Sequence, residues 1–417
     1  MDRGGVRRHK RRMQSRVSKV AVIGAGPAGL MAASCLAQAG VSVELFDRMP
    51  SPARKFLMAG RGGLNLTHSE PLERFLARYG SAAGRLAPAI RAFPPDALRA
   101  FAEGLGEETF VGSSGRVFPK SFKASPMLRA WLRHLAAAGV TLSARHHWTG
   151  WDADGALTFE TPEGPRAVRV DATVLALGGA SWPRLGADGG WRAVLEGAGL
   201  QVALFAPANM GVLLNWSAHL VPRFAGTPLK RIALACGAEH VRGEAVITAQ
   251  GLEGGAIYAL SRQIREAVER QGQADLVMDL RPDLSLDVLA QRLAAAPARL
   301  SFSERLRKAA GLAPVQIALL REGMNARPAE AAALARRIKA LPLTVMGVCG
   351  LERAISSAGG LAWDEVGPDY ALKACPDVFV CGEMLDWEAP TGGYLLQACF
   401  STAVAAAEGV KARLKSD

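Results

Sequence analysis

The chain has 417 residues, enough for two or three domains, and its 49% hydrophobic and 21% charged content is ordinary for a globular protein with a large core. No uninterrupted apolar stretch is long enough to span a bilayer, so a cytoplasmic location without membrane contact is expected. The six cysteines show no C-x-x-C spacing and no cluster with histidine. They predict reduced thiols and no metal site.

The net charge of +12 lies mainly at the amino terminus. Residues 1–19 hold eight Lys/Arg against one acid and account for +7 of it. A basic arm of this kind can bind nucleic-acid phosphates through counterion release. It is also typical of a disordered tail, which is our interpretation of residues 1–18. The rest of the chain is mildly basic, so RNA as a partner is neither required nor excluded.

A dinucleotide-binding fingerprint occupies residues 19–48. An apolar run typical of a buried parallel strand is followed by Gly24, Gly26 and Gly29 at the G-x-G-x-x-G spacing. The first glycine permits a tight turn, the second lets a pyrophosphate approach the backbone, and the third lets the next helix pack closely on the strand. The start of that helix faces the phosphates. After a second strand, Asp47 stands where an acid receives the ribose hydroxyls.

The following segments continue this nucleotide domain. Residues 54–68 are rich in glycine and cations, which predicts a loop beside the nucleotide rather than a helix. Residues 115–119 are predicted to form a strand or turn, and a helix is predicted over 127–138. Residues 140–175 are predicted to be rich in strands, and the apolar run within 171–179 should return to the central sheet.

The pattern changes after Pro207. Short apolar runs separated by glycine and proline over residues 212–279 predict an inserted β domain that one helix interrupts. Residues 284–340 are dense in Ala, Leu and Arg at helical spacing, which predicts a small helical module. The strand-like segment 377–383 and a helix that begins at residue 392 return to the nucleotide domain, so both ends of the chain build it.

Three segments together resemble the BaiN/YhiN-like flavoprotein family, also called aminoacetone-oxidase-like. They are the fingerprint, residues 54–65, and the pair of motifs at 382–386 and 392–394. The resemblance extends over residues 19–410, and the pattern is similar to a separate proteobacterial branch of the family. It implies an α/β fold in which a Rossmann-like FAD-binding domain, formed by both termini, carries an inserted β-barrel-like domain and a small helical module.

The predicted domain boundaries combine the residue patterns with this resemblance. They are 1–18 for the tail, 19–207 and 346–417 for the two parts of the FAD-binding domain, 208–282 for the inserted β-rich domain, and 283–345 for the helical module.

Relatives act on different substrates. Some reduce carbon–carbon double bonds in bile-acid intermediates or in ribosomal RNA uridine, and another oxidises aminoacetone, so the resemblance implies FAD but no single substrate. This chain has Gly-Leu-Asn at residues 63–65 where relatives commonly carry Arg-Cys-Asn, so a thiol beside the flavin is absent there. It has Thr-Ala at 248–249 and Glu-Gly-Gly at 253–255 where they commonly carry Thr-His and Ser-Gly-Pro. These changes remove a histidine and add Glu253.

Residues from all these motifs are expected to contact FAD. Glu383 matches the acidic position that holds the ribityl chain in related flavoproteins. Gly392 and Gly393 would let backbone N–H groups and the helix dipole face the flavin pyrimidine edge. Arg54 and Lys55 would neutralise the pyrophosphate or tune the flavin. The predicted cofactor-binding residues are Gly24, Gly26, Pro27, Ala28, Gly29, Asp47, Arg48, Arg54, Lys55, Gly62, Gly63, Asn65, Gly178, Gly179, Gly382, Glu383, Gly392, Gly393 and Tyr394.

Four residues are candidates for the chemistry. Arg61 and Asn65 lie on the segment that the resemblance brings near the flavin, where a cation could favour the reduced flavin or bind a substrate anion. Tyr394 and Glu253 are candidate proton donors, because reduction of a carbon–carbon double bond consumes a proton. His68 is interpreted as a solvated loop histidine.

Three functions stay open on the sequence. The favoured one is an FAD-dependent oxidoreductase in which NAD(P)H, as a transient donor, reduces an unsaturated small molecule. Because no second G-x-G-x-x-G follows a strand, NAD(P)H would enter a shared pocket. The alternatives are a flavin-dependent amine or amino-ketone oxidase that uses oxygen, and an RNA-binding flavoprotein that acts on ribosomal RNA uridine. In the last, the basic arm with Arg116, Lys120 and Lys123 would contact phosphates. The sequence indicates no oligomeric state.

Overall fold

The computed structural model describes residues 17–416 except for residues 323, 325–327 and 329, so residues 1–16 of the predicted tail lie outside the described part. In chain order the strands are β1 (Lys19–Ile23), β2 (Ser42–Asp47), β3 (Thr67–His68), β4 (Thr109–Val111), β5 (Arg116–Pro119), β6 (Thr141–Ala144), β7 (His147–Trp151), β8 (Leu157–Thr161), β9 (Gly164–Val168), β10 (Ala172–Leu175), β11 (Val202–Ala208), β12 (Val212–Leu213), β13 (Pro228–Cys236), β14 (Glu239–Ile247), β15 (Gly251–Glu253), β16 (Ala274–Asp279), β17 (Leu341–Val345), β18 (Gly347–Val348), β19 (Ser356–Leu361), β20 (Ala371–Leu372) and β21 (Cys375–Val380).

The helices lie between these strands, with the longest at the carboxyl end. They are α1 (Pro27–Gln38), α2 (Arg54–Ala59), α3 (Leu72–Ala77), α4 (Ala83–Ala92), α5 (Pro95–Gly104), α6 (Ala124–Ala137), α7 (Trp191–Gly197), α8 (Val221–Phe224), α9 (Gly255–Ala259), α10 (Ser261–Gln271), α11 (Leu286–Ala294), α12 (Phe302–Ala309), α13 (Pro314–Arg321), α14 (Ala331–Lys339) and α15 (Tyr394–Ser416). Short 3-10 turns occur at Gly60–Gly62, Gly80–Ala82, Pro183–Leu185, Trp363–Glu365 and Gly382–Met384.

Five parallel strands form most of the first sheet, whose order is β20-β21-β10-β1-β2-β6. Strands β21, β10, β1, β2 and β6 run parallel, and β20 pairs with β21 antiparallel. The largely apolar β1 and β10 are buried, as strands covered on both faces must be. Because these strands come from both ends of the chain, the structure confirms the predicted α/β fold with a Rossmann-like domain formed by both termini.

Helices α1 and α15 pack side by side against this sheet. Alanines such as Ala403 and Ala407 are fully buried on α15, and their small size lets the two helices approach closely. Trp131 of α6 is also fully buried, and its indole Nε1 donates to Ser34 Oγ of α1 at 2.8 Å. The carboxyl-terminal helix is therefore fixed over the sheet, which in turn fixes the motifs that precede it.

Three predictions for the first half of the chain are confirmed. The strand-rich stretch 140–175 holds β6 to β10, of which β7, β8 and β9 form a separate three-stranded antiparallel sheet. The helix predicted over 127–138 is α6, which begins three residues earlier. The predicted strand or turn at 115–119 is β5, which lies between β3 and β4 in another three-stranded sheet.

The loop predicted over 54–68 is wrong at its beginning, where α2 forms. Residues 54–59 are good helix formers, and the glycines that argued against a helix begin only at Gly60. Ala53 precedes the helix in the left-handed conformation, with φ of 56°, and its N–H donates to Ala25 O at 2.9 Å. The helix is thus tied to the fingerprint turn, and residues 63–66 are the part that forms a loop.

The second large sheet has seven antiparallel strands in the order β17-β16-β13-β14-β15-β12-β18. Its two outer strands, β17 and β18, are consecutive in the chain and separated only by Met346. The two edges must therefore lie within a few ångströms of each other, because adjacent Cα atoms are about 3.8 Å apart. The two edges of the sheet therefore meet at residues 345–347, as in the predicted β-barrel-like insertion.

The four helices α11 to α14 follow β16 and precede β17, and they correspond to the predicted helical module. Their buried residues, among them Leu289, Leu306 and Leu334, belong to the same hydrophobic core as those of the seven-stranded sheet. Strand β17 pairs with β16. The structure therefore places β17 in the sheet, whereas the predicted boundaries assigned it to the helical module.

An antiparallel pair of strands, β11 and β19, joins this second region to the first. The chain leaves along β11 and returns along β19, with Ala208 paired to Ser356. We call residues 209–355 the inserted unit and the remaining described residues the first unit. Each unit has its own hydrophobic core.

Candidate functional site

A cavity of about 430 Å³ opens at the carboxyl ends of β1, β2, β10 and β21. Strands β2 and β10 lie on opposite sides of β1, so the chain reverses its direction across the sheet at this point. Open α/β sheets bind ligands at such a switch point. Ten of the predicted cofactor residues line the cavity: Gly24, Gly26, Pro27, Ala28, Asp47, Arg48, Arg54, Lys55, Gly178 and Glu383.

The three glycines of the fingerprint meet three different surroundings. Gly24 has a φ of +101°, and a Cβ on it would lie 2.3 Å from the Ala176 carbonyl oxygen. A Cβ on Gly29 would lie 1.8 Å from the carbonyl oxygen of Gly24. A Cβ on Gly26 would meet no atom within 4 Å, although this residue lines the cavity and precedes the first residue of α1. Gly26 thus leaves free space in front of the helix N-terminus.

Asp47 holds the backbone of the fingerprint turn. Its Oδ2 accepts from Ala25 N–H at 2.9 Å, and its Oδ1 accepts from Met49 N–H at 2.7 Å. Burial raises the pKa of Asp47 above its ordinary value, and the two backbone hydrogen bonds oppose that shift. The carboxylate therefore shapes the turn directly, and its contact with a ribose stays a prediction.

Two arginines bring positive charge to the same cavity. Arg48 Nη1 forms an ion pair with Asp188 Oδ2 at 2.6 Å. Burial by itself raises the pKa of Asp188, but the hydrogen bonds from Arg48 and the Gly190 N–H, together with the charge of Arg48, outweigh it and the net shift is downward. Arg54 has its Nε atom buried with no hydrogen-bond partner among the described residues. A buried, unpartnered guanidinium nitrogen beside a helix N-terminus is suited to a phosphate oxygen.

Lys55 and Glu383 join α2 to the end of β21. Lys55 Nζ donates to both carboxylate oxygens of Glu383, at 3.0 and 2.8 Å, and the side chain of Glu383 is only 8% exposed. Ser357 N–H also donates to Glu383 Oε1 at 3.2 Å. This carboxylate is therefore paired within the protein on one side of the cavity.

The neighbouring glycines Gly179 and Gly382 serve packing rather than the cavity surface. A Cβ on Gly179 would lie 2.0 Å from Ser357 Oγ, and one on Gly382 would lie 2.8 Å from the Cβ of Ala28. Gly382 also has a φ of +83°. Together with Gly29, these predicted cofactor residues act by letting backbone segments approach one another at the cavity.

The remaining predicted cofactor residues form a second group, outside the cavity lining, around β3 and the start of α15. A Cβ on Gly393 would lie 2.5 Å from the Cα of Thr67, and one on Gly63 would lie 3.2 Å from the Phe122 ring. Asn65 Nδ2 donates to the carbonyls of Thr67 and Val117 at 2.8 and 3.1 Å. The members of this group are Gly62, Gly63, Asn65, Gly392, Gly393 and Tyr394.

Two polar atoms, one in this second group and one on the adjacent strand β3, are buried without a described partner. They are Asn65 Oδ1 and Thr67 Oγ1. Buried polar atoms normally have hydrogen-bond partners, so each unpartnered one requires an explanation such as a ligand or a water molecule. The amide nitrogen of Asn65 therefore holds the backbone in place, and its amide oxygen can accept a hydrogen bond from a ligand or a water molecule.

Tyr394 belongs to a hydrogen-bonded cluster that the sequence did not predict. Its hydroxyl donates to Glu70 Oε1 at 2.5 Å, and Arg78 donates to both oxygens of Glu70, at 3.1 and 2.9 Å. The ring of His68 stacks on the Tyr394 ring with centroids 5.5 Å apart. Burial and the Glu70 carboxylate raise the pKa of Tyr394 well above its usual range, so the phenol keeps its proton. Only the three-dimensional fold brings Glu70 and Arg78 to Tyr394.

His68 has a more defined setting than a solvated loop histidine. Glu70 N–H donates to its Nδ1 at 3.1 Å, and its Nε2 lies 3.0 Å from the Ser114 carbonyl oxygen. Since a carbonyl only accepts, these contacts assign the proton to Nε2 of a neutral ring.

The other candidate proton donor, Glu253, lies in the inserted unit and does not line the cavity. It ends β15 and flanks Gly211 together with Cys349, since a Cβ on Gly211 would lie 3.6 Å from Glu253 Cβ and 3.2 Å from Cys349 Sγ. The structure thus does not bring Glu253 into the cluster around Tyr394. The side chain of Arg61 lies outside the described part of the chain, although its backbone is within a 3-10 turn.

The residues considered for RNA contact have ordinary surroundings. Lys120 forms an ion pair with Glu108, which neutralises its charge locally. Lys123 is exposed and Arg116 is half-buried in β5. Within the described residues no three His, Cys, Asp or Glu side chains converge on a common point that could hold a metal ion. The described helices include none with the length and hydrophobicity of a membrane span.

Solved structures of other proteins share this architecture at low sequence identity. The open conformation of a flavocytochrome c3 fumarate reductase has a TM-score of 0.54 at 15% identity, over 96% of this chain and 79% of that chain. The 3-ketosteroid delta1-dehydrogenase of Sterolibacterium denitrificans, in complex with 1,4-androstadiene-3,17-dione, has a TM-score of 0.51 at 12% identity, over 95% of this chain and 100% of that chain. At these identities the likeness concerns the fold alone.

Sequence comparison adds a short match and a long one. A stretch of 35 residues is 69% identical to the protein named "Putative oxidoreductase UacF" of Escherichia coli (strain K12), and it covers 8% of this chain and 6% of that protein. The family model described as the HI0933-like protein Rossmann domain matches residues 18–409. The chain therefore belongs to the HI0933-like family, which confirms the BaiN/YhiN-like flavoprotein resemblance predicted from its motifs.

Proposed function

We propose that this protein is an FAD-dependent oxidoreductase whose dinucleotide lies in the cavity at the carboxyl ends of the parallel strands. The observation that carries the proposal is the free space at Gly26, directly before the N-terminus of α1. A dinucleotide pyrophosphate needs this close approach to the backbone and the positive end of the helix dipole. Membership of the HI0933-like family supports the same cofactor.

The residues present fit FAD in their charges and shapes. Arg54 would use its unpartnered Nε on the pyrophosphate, whereas the charge of Arg48 is offset by its ion pair with Asp188. The Lys55–Glu383 pair lies where the ribityl chain is expected. Gly392 and Gly393 would present the start of α15 to the pyrimidine edge. FAD, when bound, supplies two-electron redox chemistry, and the chain supplies binding, orientation and local charge.

We assign Tyr394 as the proton donor to an unsaturated substrate. The phenol is protonated at neutral pH, and its proton lies in the hydrogen bond to Glu70, so transfer to a substrate requires the hydroxyl to turn away from Glu70. Asn65 would orient a bound group through its free Oδ1. Glu253 stays a second candidate donor, and its position in the inserted unit makes it the weaker one. Reduction by NAD(P)H is favoured over the oxygen-dependent amine oxidase because this acid suits a reaction that consumes a proton.

An anaerobic titration of the FAD-loaded protein with NADH and with NADPH tests this function. Loss of the flavin absorbance with either nucleotide would support the reductase, and enones would then be screened as acceptors. If neither nucleotide reduces the flavin, the reductase proposal fails. Flavin reduction by small amines, with peroxide release in air, would then establish the oxidase.

A further inference from the structure

The inserted unit contains a second cavity, of about 280 Å³, whose lining includes three arginines. Arg223 comes from α8, Arg307 from α12 and Arg321 from the last residue of α13. The lining also includes the apolar side chains of Phe224, Pro314 and Ile317. We call this cavity the arginine cleft. Ligand pockets typically combine an apolar lining with a few convergent polar groups, as this cleft does.

The positive charge of the arginine cleft is only partly offset by its one acidic lining residue. Glu304 is the acidic residue in the lining, and its Oε2 accepts from the N–H and the hydroxyl of Ser301 at 3.0 and 2.7 Å. Hydrogen bonds from Ser301 lower the pKa of Glu304, and the charges of Lys308 and Arg307 lower it further, so this carboxylate offsets part of the positive charge. The cleft therefore offers three cations and one engaged anion.

Two of the three arginines are held in place by neighbouring groups. Arg321 Nη2 donates to Ser303 Oγ at 2.7 Å, and its guanidinium lies 5.6 Å from the centroid of the Phe302 ring. The guanidinium of Arg223 lies 5.4 Å from the centroid of the Phe224 ring. Such stacking restricts a flexible side chain before any ligand arrives, which lowers the entropic cost of binding.

A polar clamp holds the two walls of the cleft together. Glu322, directly after α13, accepts from the N–H and the hydroxyl of Ser217, both at 2.8 Å. Ser217 precedes α8, which carries Arg223. The clamp also occupies the one carboxylate next to Arg321 in sequence. The cleft is thus a fixed feature of the inserted unit.

The charge of the whole chain points to the same region. Residues 281–340 contain eleven Lys/Arg and five Asp/Glu, a net charge of +6. The first nineteen residues carry +7 of the total of +12. All other residues together are therefore close to neutral, with a net charge of −1. The positive electrostatic potential around the helices α11 to α14 would attract anions to the cleft.

We propose that the arginine cleft binds a phosphate monoester with a small apolar body. A phosphate monoester carries a charge of roughly −1.5 to −2 at neutral pH and three acceptor oxygens, which match three guanidinium donors. A carboxylate brings a single charge and two oxygens. The volume of about 280 Å³ limits the ligand to a small molecule and excludes an extended polyanion from full burial.

Equilibrium dialysis of the full chain, saturated with FAD, against phenyl phosphate at low ionic strength tests the proposal. Saturation with FAD blocks the nucleotide cavity. Phenylacetate is the matched carboxylate, and Arg307→Gln/Arg321→Gln is the test variant. Arg336→Gln is the control, because Arg336 is exposed on α14, outside the cleft lining, and its substitution removes a charge from the same helical region.

We expect wild type and Arg336→Gln to retain phenyl phosphate equally and the double variant to lose affinity roughly tenfold or more. Phenylacetate should be retained much more weakly. Circular dichroism confirms that the double variant is folded, and Arg223→Gln provides an independent second variant. The proposal is overturned if wild type retains no phenyl phosphate, if the cleft variants retain it unchanged, or if phenylacetate binds equally well. None of these outcomes depends on whether the flavin accepts electrons from NAD(P)H.

Discussion

Gly24, Gly26 and Gly29 lie within six residues of each other, yet the structure gives each a different constraint. Gly24 combines a positive φ with close contact to Ala176, and Gly29 brings α1 against the turn. Gly26 has neither constraint, since its φ is −80° and a Cβ would meet no protein atom. Conformation and packing thus require glycine at the first and third positions but not at the second, where we propose that a ligand approaches.

Substitution of alanine at the second and third glycines separates ligand binding from folding. We expect Gly26→Ala to change the stability of the FAD-free protein by at most about 1 kcal/mol, the cost of a poorer N-cap, and to weaken FAD binding roughly tenfold or more. Gly29→Ala should destabilise the FAD-free protein by about 1–3 kcal/mol or more, because its Cβ meets a carbonyl oxygen. Urea unfolding and flavin fluorescence titration measure the two effects. Unchanged FAD affinity in folded Gly26→Ala would contradict the assigned site.

The Glu70 carboxylate predicts a specific pH dependence of stability. Burial alone would raise its pKa, but hydrogen bonds from Arg78 and Tyr394 outweigh burial and the net shift is below the ordinary value of 4.5. Its contribution is therefore fully present above pH 4.5 and is lost as the pH falls through the lower pKa of the folded state. We expect Glu70→Gln to cost about 1–2 kcal/mol near neutral pH and much less near pH 3.

Urea denaturation of wild type and Glu70→Gln at both pH values measures this difference. Glu73→Gln is the matched control, because Glu73 is on α3 nearby and its side chain is 75% exposed. Its ion pair with Arg91 should contribute little. A cost at Glu70 that does not change with pH would show that its ionised form has no special role.

Helix α2 shows which features of a secondary-structure element can be predicted from the sequence and which cannot. Its residues have good intrinsic helix propensity, but the glycines at 60, 62 and 63 make the whole segment 54–68 typical of a loop. The fingerprint was predictable because strand, turn, helix and acid are local and contiguous. The start of α2 depends on the hydrogen bond between Ala53 and Ala25, which are distant in sequence, and no local pattern records it.

The ion pair between Lys55 and Glu383 ties α2 to the end of β21. We expect Lys55→Met to destabilise the FAD-free protein by about 2–4 kcal/mol, because it leaves the largely buried Glu383 carboxylate without its cation. The double variant Lys55→Met/Glu383→Gln should be less destabilised than the sum of the single variants. Thermal unfolding of the four proteins measures the coupling.

An exposed ion pair provides the comparison for this measurement. Arg169 and Asp154 lie 3.1 Å apart with side chains 66% and 77% exposed. Arg169→Met should cost less than about 1 kcal/mol. If Lys55→Met costs no more than Arg169→Met, the burial of Glu383 does not have the energetic role assigned to it.

A buried cluster of polar side chains connects the two hydrophobic cores of the molecule. Arg265 on α10 donates to both oxygens of Glu388, at 3.0 and 2.8 Å, and to the Pro207 carbonyl at 2.9 Å. Asn209 Nδ2 adds a hydrogen bond to the Ala389 carbonyl at 2.8 Å. Because Arg265 is almost fully buried, these contacts couple the inserted unit to the segment that leads to Gly392.

We expect Arg265→Met to uncouple the unfolding of the two units. Wild type should unfold in one calorimetric transition, and the variant in two, of which FAD raises only the one that belongs to the first unit. Arg270→Met is the control, since Arg270 is exposed near the end of the same helix. A single transition in Arg265→Met, with the same midpoint as wild type, would contradict the coupling.

The parts of the candidate site that belong to local sequence motifs could be predicted, and the parts that meet only in the folded chain could not. Ten of the expected cofactor residues line one cavity because they follow strands whose parallel ends meet there. Glu70 and Arg78 gave no signal, since a carboxylate and an arginine eight residues apart form no motif. The arginine cleft was equally invisible, because its three arginines are spread over nearly one hundred residues and meet only through the packing of three helices.

The pairing of β11 with β19 has a consequence for how such a protein could arise and be altered. Ala208 and Ser356 are partners across two antiparallel strands, so their Cα atoms lie about 5 Å apart. The 147 residues between them, 209–355, leave and re-enter the first unit through a gap that a tight turn could bridge. The inserted unit is thus a self-contained insertion. Recombination could exchange it between relatives without a change in the register of the parallel strands of the first unit.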